Sequence, residues 1–188
     1  MRSFKKFGVL AVVVFALSAA NASAAEFTFS ATGSIEGKAL ATQVFTTNGG
    51  KVECSTAATS GTIGKLGGKA QHVTVKYSGC VGYKIATVHV SIATFNFTSD
   101  GTVHNQNTIT ITPTLFGASL CTVSVTPQTV GTIDYAISGT SNVKVTPTVS
   151  GIKYHSTGGS CGSAGENGTY TGASEVNRVG GGSLTFDP

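Results

Sequence analysis

The sequence predicts an all-β protein: an antiparallel β-sandwich, immunoglobulin-like or of a related type, carried behind a cleavable export leader. Three features predict it. The chain opens with a basic start, a short apolar run and small residues. The remainder of the chain alternates apolar and hydroxylated residues in short segments punctuated by glycine. All four cysteines fall in that second part. No stretch beyond the leader sustains a helical period.

The leader comes first. Arg2, Lys5 and Lys6 precede an apolar run from Phe7 to Leu17, and Ala22-Ser23-Ala24 supplies an A-x-A cleavage site, with Ala20-Asn21-Ala22 competing. The run spans about 11 residues, too short for a membrane span of roughly 20. The expected division is therefore 1–24 leader and 25–188 one β-domain. About 164 residues remain, near the size of a single domain. Removing three of the twelve basic residues leaves nine Lys/Arg against eight Asp/Glu, and those nine are scattered. Nucleic-acid binding, which needs clustered basic side chains, is excluded on that ground.

The strands come next, in chain order. Phe27, Phe29, Ala31 and Ile35 share one face, with Thr28, Ser30, Thr32 and Ser34 on the other. Val73, Val75 and Tyr77 oppose His72, Thr74 and Lys76; Ile109, Ile111 and Leu115 oppose Thr108, Thr110, Thr112 and Thr114; Val123 and Val125 oppose Thr122, Ser124 and Thr126. Apolar-in, hydroxyl-out alternation marks antiparallel sheets with one wet face. Between Val88, Val90, Ile92 and Phe95, Phe97 the core face changes parity, which predicts a bulge near Ala93–Thr94. A thrice-used strand ending places Pro113, Pro127 and Pro147 at edges or bends. Residues 158–168 read as a long glycine-rich loop, and Gly180–Gly182 as a joint before a last strand at Leu184–Phe186. Many short strands favour a sandwich over a closed barrel. An outer-membrane barrel wants aromatic girdles and an apolar outer face, whereas this chain has no Trp and Thr/Ser wet faces.

Four cysteines in an exported chain predict two disulfides among Cys54, Cys80, Cys121 and Cys161. None lies close enough to another for zinc spacing. Shorter loops close more easily, which favours Cys54–Cys80 with Cys121–Cys161, although other pairings stay open. Cys54 and Cys121 keep phase with inward residues, while Cys80 and Cys161 read as loop cysteines.

Chemistry-bearing patterns are sparse. Gly158-Gly159-Ser160-Cys161-Gly162 has the form G-x-S-x-G, but the residues after it cannot build the helix that a nucleophile elbow requires. His72, His89, His104 and His155 show no metal spacing, and Asp100 with His104 reads as a hairpin turn. No catalytic, metal or cofactor-binding residue is therefore assigned, and no cofactor is expected. The file Thr108, Thr110, Thr112, Thr114 is the most regular surface feature and a possible surface-binding file.

The run Val149-Ser-Gly-Ile-Lys-Tyr-His155, with Gly162, Asn167-Gly-Thr-Tyr-Thr-Gly172 and Tyr77-Ser-Gly-Cys80, resembles a group of uncharacterised exported all-β proteins of bacteria. That resemblance implies a shared fold and a bacterial source, and no activity. The expectation is a non-catalytic exported surface, structural or binding domain, secreted or held at the cell envelope. Its partner would be an envelope polymer or extracellular protein, and its small-molecule ligand is open. A secreted hydrolase with a dispersed active site, and a secreted inhibitor or ligand carrier, are the alternatives.

Overall fold

A computed structural model describes residues 33–63, 70–83, 86–98, 102–138, 142–182 and 184; the leader expected over 1–24 lies outside them. Among the described residues there are twelve strands: β1 (Gly33–Thr47), β2 (Gly50–Ile63), β3 (Ala70–Gly82), β4 (Ala86–Val90), β5 (Ala93–Thr98), β6 (Thr102–Asn105), β7 (Ile109–Leu115), β8 (Ala118–Ser119), β9 (Thr122–Val125), β10 (Gln128–Ser138), β11 (Asn142–Thr157) and β12 (Gly165–Arg178). One 3₁₀ turn spans Gly159–Cys161. All twelve strands belong to a single sheet.

That sheet closes. β1 pairs with β2, β2 with β3, β11 with β12, and β12 returns to β1. Between β3 and β11 the wall is made of strands laid end to end. β4 and β5 both pair with β3; β4 pairs with β7 and β5 with β6. β7 then pairs with β9 and β6 with β10, and both β9 and β10 pair with β11. With each end-to-end couple taken as one stave, eight antiparallel staves run in chain order around a closed up-and-down barrel.

The expected sandwich is thus overturned, because the β1–β12 and β10–β11 ladders leave no open edge. Alternation with one wet face is common to sandwich and barrel. What separates them is pairing between distant segments, which no local pattern carries. The strands are also longer than the sequence suggests, up to 16 residues in β11. Ser, Thr, Ala and Gly fill the middle of β2, where they read as turn residues.

Several staves break phase near one level of the barrel. On β2 the buried positions pass from Val52 and Cys54 to Ala57, and on β3 from Val73 and Val75 to Cys80 across Gly79, at φ 61°. On β11 they pass from Val149 to Ile152 across Gly151, at φ 76°. The parity change expected near Ala93–Thr94 falls at Ser91–Ile92, which separate β4 from β5 and leave Ile92 outside at 53 % exposure. The gap at residues 126–127 changes parity in the same way between Val125 and Val130, whereas Val103, Asn105 and Ile111 keep one parity across the gap at 106–108.

A belt of broken ladder frees backbone groups that need partners. Amide and hydroxyl side chains supply them. Asn107 accepts from Thr94 N (2.7 Å) and donates to Ile92 O (2.8 Å). Asn105, buried, donates to Thr126 O (3.0 Å) and accepts from Gln128 N (2.7 Å), and Ser91 Oγ accepts from Thr110 N (2.9 Å).

Pro127 sits in one of these gaps, at a bend as expected. Pro113 and Pro147 lie inside strands instead. Pro113 falls where the partner of β7 changes from β9 to β8, so its missing N–H breaks no ladder bond there.

Two apolar clusters fill the barrel above and below the belt. One gathers Val52, Val88, Ile111, Val123, Ile152 and Tyr154 with all four cysteines; the other gathers Ile35, Ala57, Val73, Val75, Val143 and Val176. Leu184, 2 % exposed, joins the second cluster after Gly180, Gly181 and Gly182 turn the chain back at φ 85°, 84° and 97°. No strand is formed at 184, and residues 185–186 of the expected last strand lie outside the described residues.

At the other end the β1–β2 turn is held down. Asn48 N donates to Tyr154 Oη (3.0 Å), Tyr154 Oη donates to Asn167 Oδ1 (3.0 Å), and Gly49 packs against the backbone of Cys161 and Gly162.

Candidate functional site

An eight-stranded barrel is just wide enough either to be filled by side chains or to hold one small molecule. This one is not quite filled. A cavity of about 180 Å³ runs along its interior, lined by Val, Ile and Phe from both clusters, including Val75, Phe95, Phe97, Ile109, Val145 and Val149. Tyr77, Phe95, Phe97 and Val145 pack against both clusters, so they form the waist of the cavity.

Few polar side chains line it, and three of those are linked. Tyr77 Oη donates to Tyr170 Oη (3.2 Å), Tyr170 Oη donates to Gln43 Oε1 (2.5 Å), and Gln43 Nε2 donates to Ala41 O (2.7 Å) and Ala173 O (3.0 Å). The belt creates this chain. β1 carries one extra residue against β2 between Lys38 and Gln43, and two against β12 between Ala39 and Val44. The bulge frees the Ala41 and Ala173 carbonyls and turns Gln43 inward, 3 % exposed, to satisfy both. Gly172 leaves the room: a Cβ there would overlap Gln43 Oε1 and lie 2.6 Å from Gln43 Cδ.

The two rings meet edge to face, 6.4 Å between centroids. Burial pushes the Tyr77 hydroxyl up to about 12, against the smaller opposing effect of its bond to Tyr170. Burial and the neighbouring Tyr77 raise Tyr170 well above the usual tyrosine range. Both phenols are therefore neutral hydrogen-bonding groups at physiological pH. No carboxylate, histidine, lysine or free thiol is among the described residues lining the cavity. The linked polar groups that this described lining offers, Gln43, Tyr77 and Tyr170, are all neutral.

The residues singled out in the sequence lie elsewhere, apart from Cys54. Cys54 pairs with Cys80 and Cys121 with Cys161, with Cα atoms 3.9 Å and 5.9 Å apart. Cys80 is not a loop residue: it stands directly opposite Cys54 on β3, buried. Cys161 is in the 3₁₀ turn, and the loop expected over 158–168 ends at Ala164, one residue before β12 begins.

Thr110, Thr112 and Thr114 share the outer face of β7, while Thr108 precedes that strand. They stand opposite Ser124, His89 and Thr87, and Thr114 Oγ1 is engaged with Thr87 O (3.2 Å). His72, His89 and His155 are exposed on the outer wall. His104 Nδ1 contacts Thr129 Oγ1 at 2.9 Å, and Asp100 lies outside the described residues.

Lys38, Lys51, Ser60, Lys76 and Ser150 are also exposed on the outer wall, together with the apolar Leu40, Val81 and Ile92. Among the described residues no helix is long and apolar enough to cross a membrane. Compared with models of protein families, with curated proteins and with solved structures, the chain matches none.

Proposed function

We propose that this chain is an exported, non-catalytic binding barrel that carries one small apolar molecule in its interior. The observation that carries the reading is the apolar cavity of about 180 Å³ with its chain of neutral polar groups. An apolar cavity of roughly 150 Å³ stays dry and takes up a benzene-sized molecule. The occupant here is accordingly of that order, well below a drug-sized ligand, whose pockets run from about 300 Å³.

Two buried disulfides support an oxidising, extracytoplasmic setting, and the basic–apolar–small start of the chain supports the export route. Secretion or retention at the envelope, and kinship with exported bacterial all-β proteins, belong to the same proposal. The carrier reading stands above the surface-module reading because the barrel leaves space inside, whereas the Thr file is edged by His89 and partly engaged with backbone.

Titration calorimetry of the mature, oxidised chain with toluene tests it. One-site saturable binding, with a rise in Tm that grows with ligand concentration, is the expected result. No heat and no shift at saturating toluene overturns the carrier reading.

A further inference from the structure

We infer that the cavity selects a neutral apolar molecule bearing a single hydrogen-bond donor, and that the phenolic oxygen of Tyr77 receives it. This rests on the carrier reading. The direction of the polar chain decides it. Ala41 O and Ala173 O can only accept, so the Gln43 atom lying 2.7 Å and 3.0 Å from them must be its nitrogen. Both amide protons are then used, and Gln43 presents its oxygen to Tyr170.

A carbonyl oxygen cannot donate, so the single Tyr170 proton points at Gln43. The oxygen of Tyr170 then accepts the single proton of Tyr77. The chain ends on a Tyr77 oxygen with its proton committed and its lone pairs open. Among the described residues no donor reaches it. Tyr77 lines the cavity at its waist, where the rest of the lining is mainly hydrocarbon.

The polarity matters for selection. A ligand that offers an acceptor meets no free proton, and drawing the Tyr77 proton toward it would leave two phenolic oxygens facing each other 3.2 Å apart without a proton between them. A hydroxyl or N–H donor completes the chain without disturbing any bond in it. Charged ligands are rejected because nothing among the described lining residues offsets their desolvation.

Phenol and toluene make the test, being nearly the same size and differing in one donor. An apolar cavity with no acceptor prefers toluene, because an unpaired hydroxyl loses hydrogen bonds to water on burial. Binding of both is measured by calorimetry on the mature chain and on Tyr77→Phe, with toluene affinity serving as the check that the cavity is intact. The expected result is phenol binding at least as tightly as toluene in the native protein, and a phenol-to-toluene affinity ratio about tenfold lower in Tyr77→Phe. Tighter toluene binding in the native protein, or a ratio unchanged by the substitution, overturns the donor assignment while leaving the carrier reading in place. Failure of both ligands to bind overturns both.

Discussion

Gly172→Ala is the most informative perturbation of the barrel interior. Gly172 lies on β12 beside the bulge of β1, with the side chain of Gln43 passing over it. An added methyl overlaps Oε1 and sits 2.6 Å from Cδ and 2.9 Å from Nε2 of Gln43. Gln43 is buried and must leave its position, giving up its bonds to Tyr170, Ala41 and Ala173.

At about 1 kcal/mol net for each bond the loss is about 3 kcal/mol. The alanine returns about 0.5–1 kcal/mol by restricting the unfolded chain. The expected destabilisation is therefore about 2–2.5 kcal/mol. In a Gln43→Ala background the same bonds are already gone, so Gly172→Ala becomes neutral or stabilising by up to about 1 kcal/mol. The coupling in this double-mutant cycle is about 3 kcal/mol. Urea unfolding of the four proteins measures it, the single variant shifting the midpoint by about 1 M for a slope near 2 kcal/mol/M. Equal costs in the two backgrounds, with coupling below about 0.5 kcal/mol, would refute the account of Gly172 as the space that Gln43 occupies.

Other outcomes are expected from the same geometry. Replacing Cys121 and Cys161 by Ala opens a loop of sequence separation 40, and replacing Cys54 and Cys80 one of 26, so the pairs cost about 4 and 3.5 kcal/mol on the chain-entropy relation, measured by chemical denaturation. Tyr77 is raised in the folded state, so its contribution is complete below the unfolded value near 10 and is lost as pH climbs from there to about 12. Stability should fall by up to about 3 kcal/mol across that window, and more shallowly in Tyr77→Phe; tyrosinate absorbance alongside alkaline denaturation checks it. Leu184→Ala should cost about 2–3 kcal/mol by emptying the barrel end beside Ile35, Val143 and Val176, seen as a lower urea midpoint. Gly49→Ala should cost more than Gly172→Ala, because the atoms its methyl meets are the backbone of Cys161 and Gly162 rather than a movable side chain; soluble yield and Tm report it.

Much of the wall was legible as strand, because Val73, Val75, Ile111, Val123 and Val125 alternate with hydroxylated residues and all five prove buried. One phase break was also legible, since large apolar residues stand on both sides of it at Val88 and Phe95. The breaks at Ser55–Thr56, Ser78–Gly79 and Ser150–Gly151 were hidden, because small residues suit a turn, a bulge and a wet strand face equally. Closure was not legible at all: it rests on ladders such as Ile35↔Arg178, between residues at opposite ends of the domain. For the cavity, Tyr77 could be placed on the inward face of its strand, yet nothing local links it to Tyr170 and Gln43. That chain exists only because two extra residues on β1 turn a glutamine toward the interior opposite a glycine. The cysteine spacing favoured the right pairs, but the glycine next to Cys80 disguised a strand residue as a loop residue.

The central claim is that the barrel carries a small apolar molecule outside the cytoplasm. Native mass spectrometry of the protein, purified without detergent or reductant from the envelope and medium fractions of its host, tests it most directly. The account expects a chain lacking its leader, lighter by the four hydrogens of two disulfides, and carrying one small neutral adduct that organic extraction removes. A chain that retains the leader, or a mature chain that shows no adduct and takes up neither toluene nor phenol when they are supplied, would contradict it.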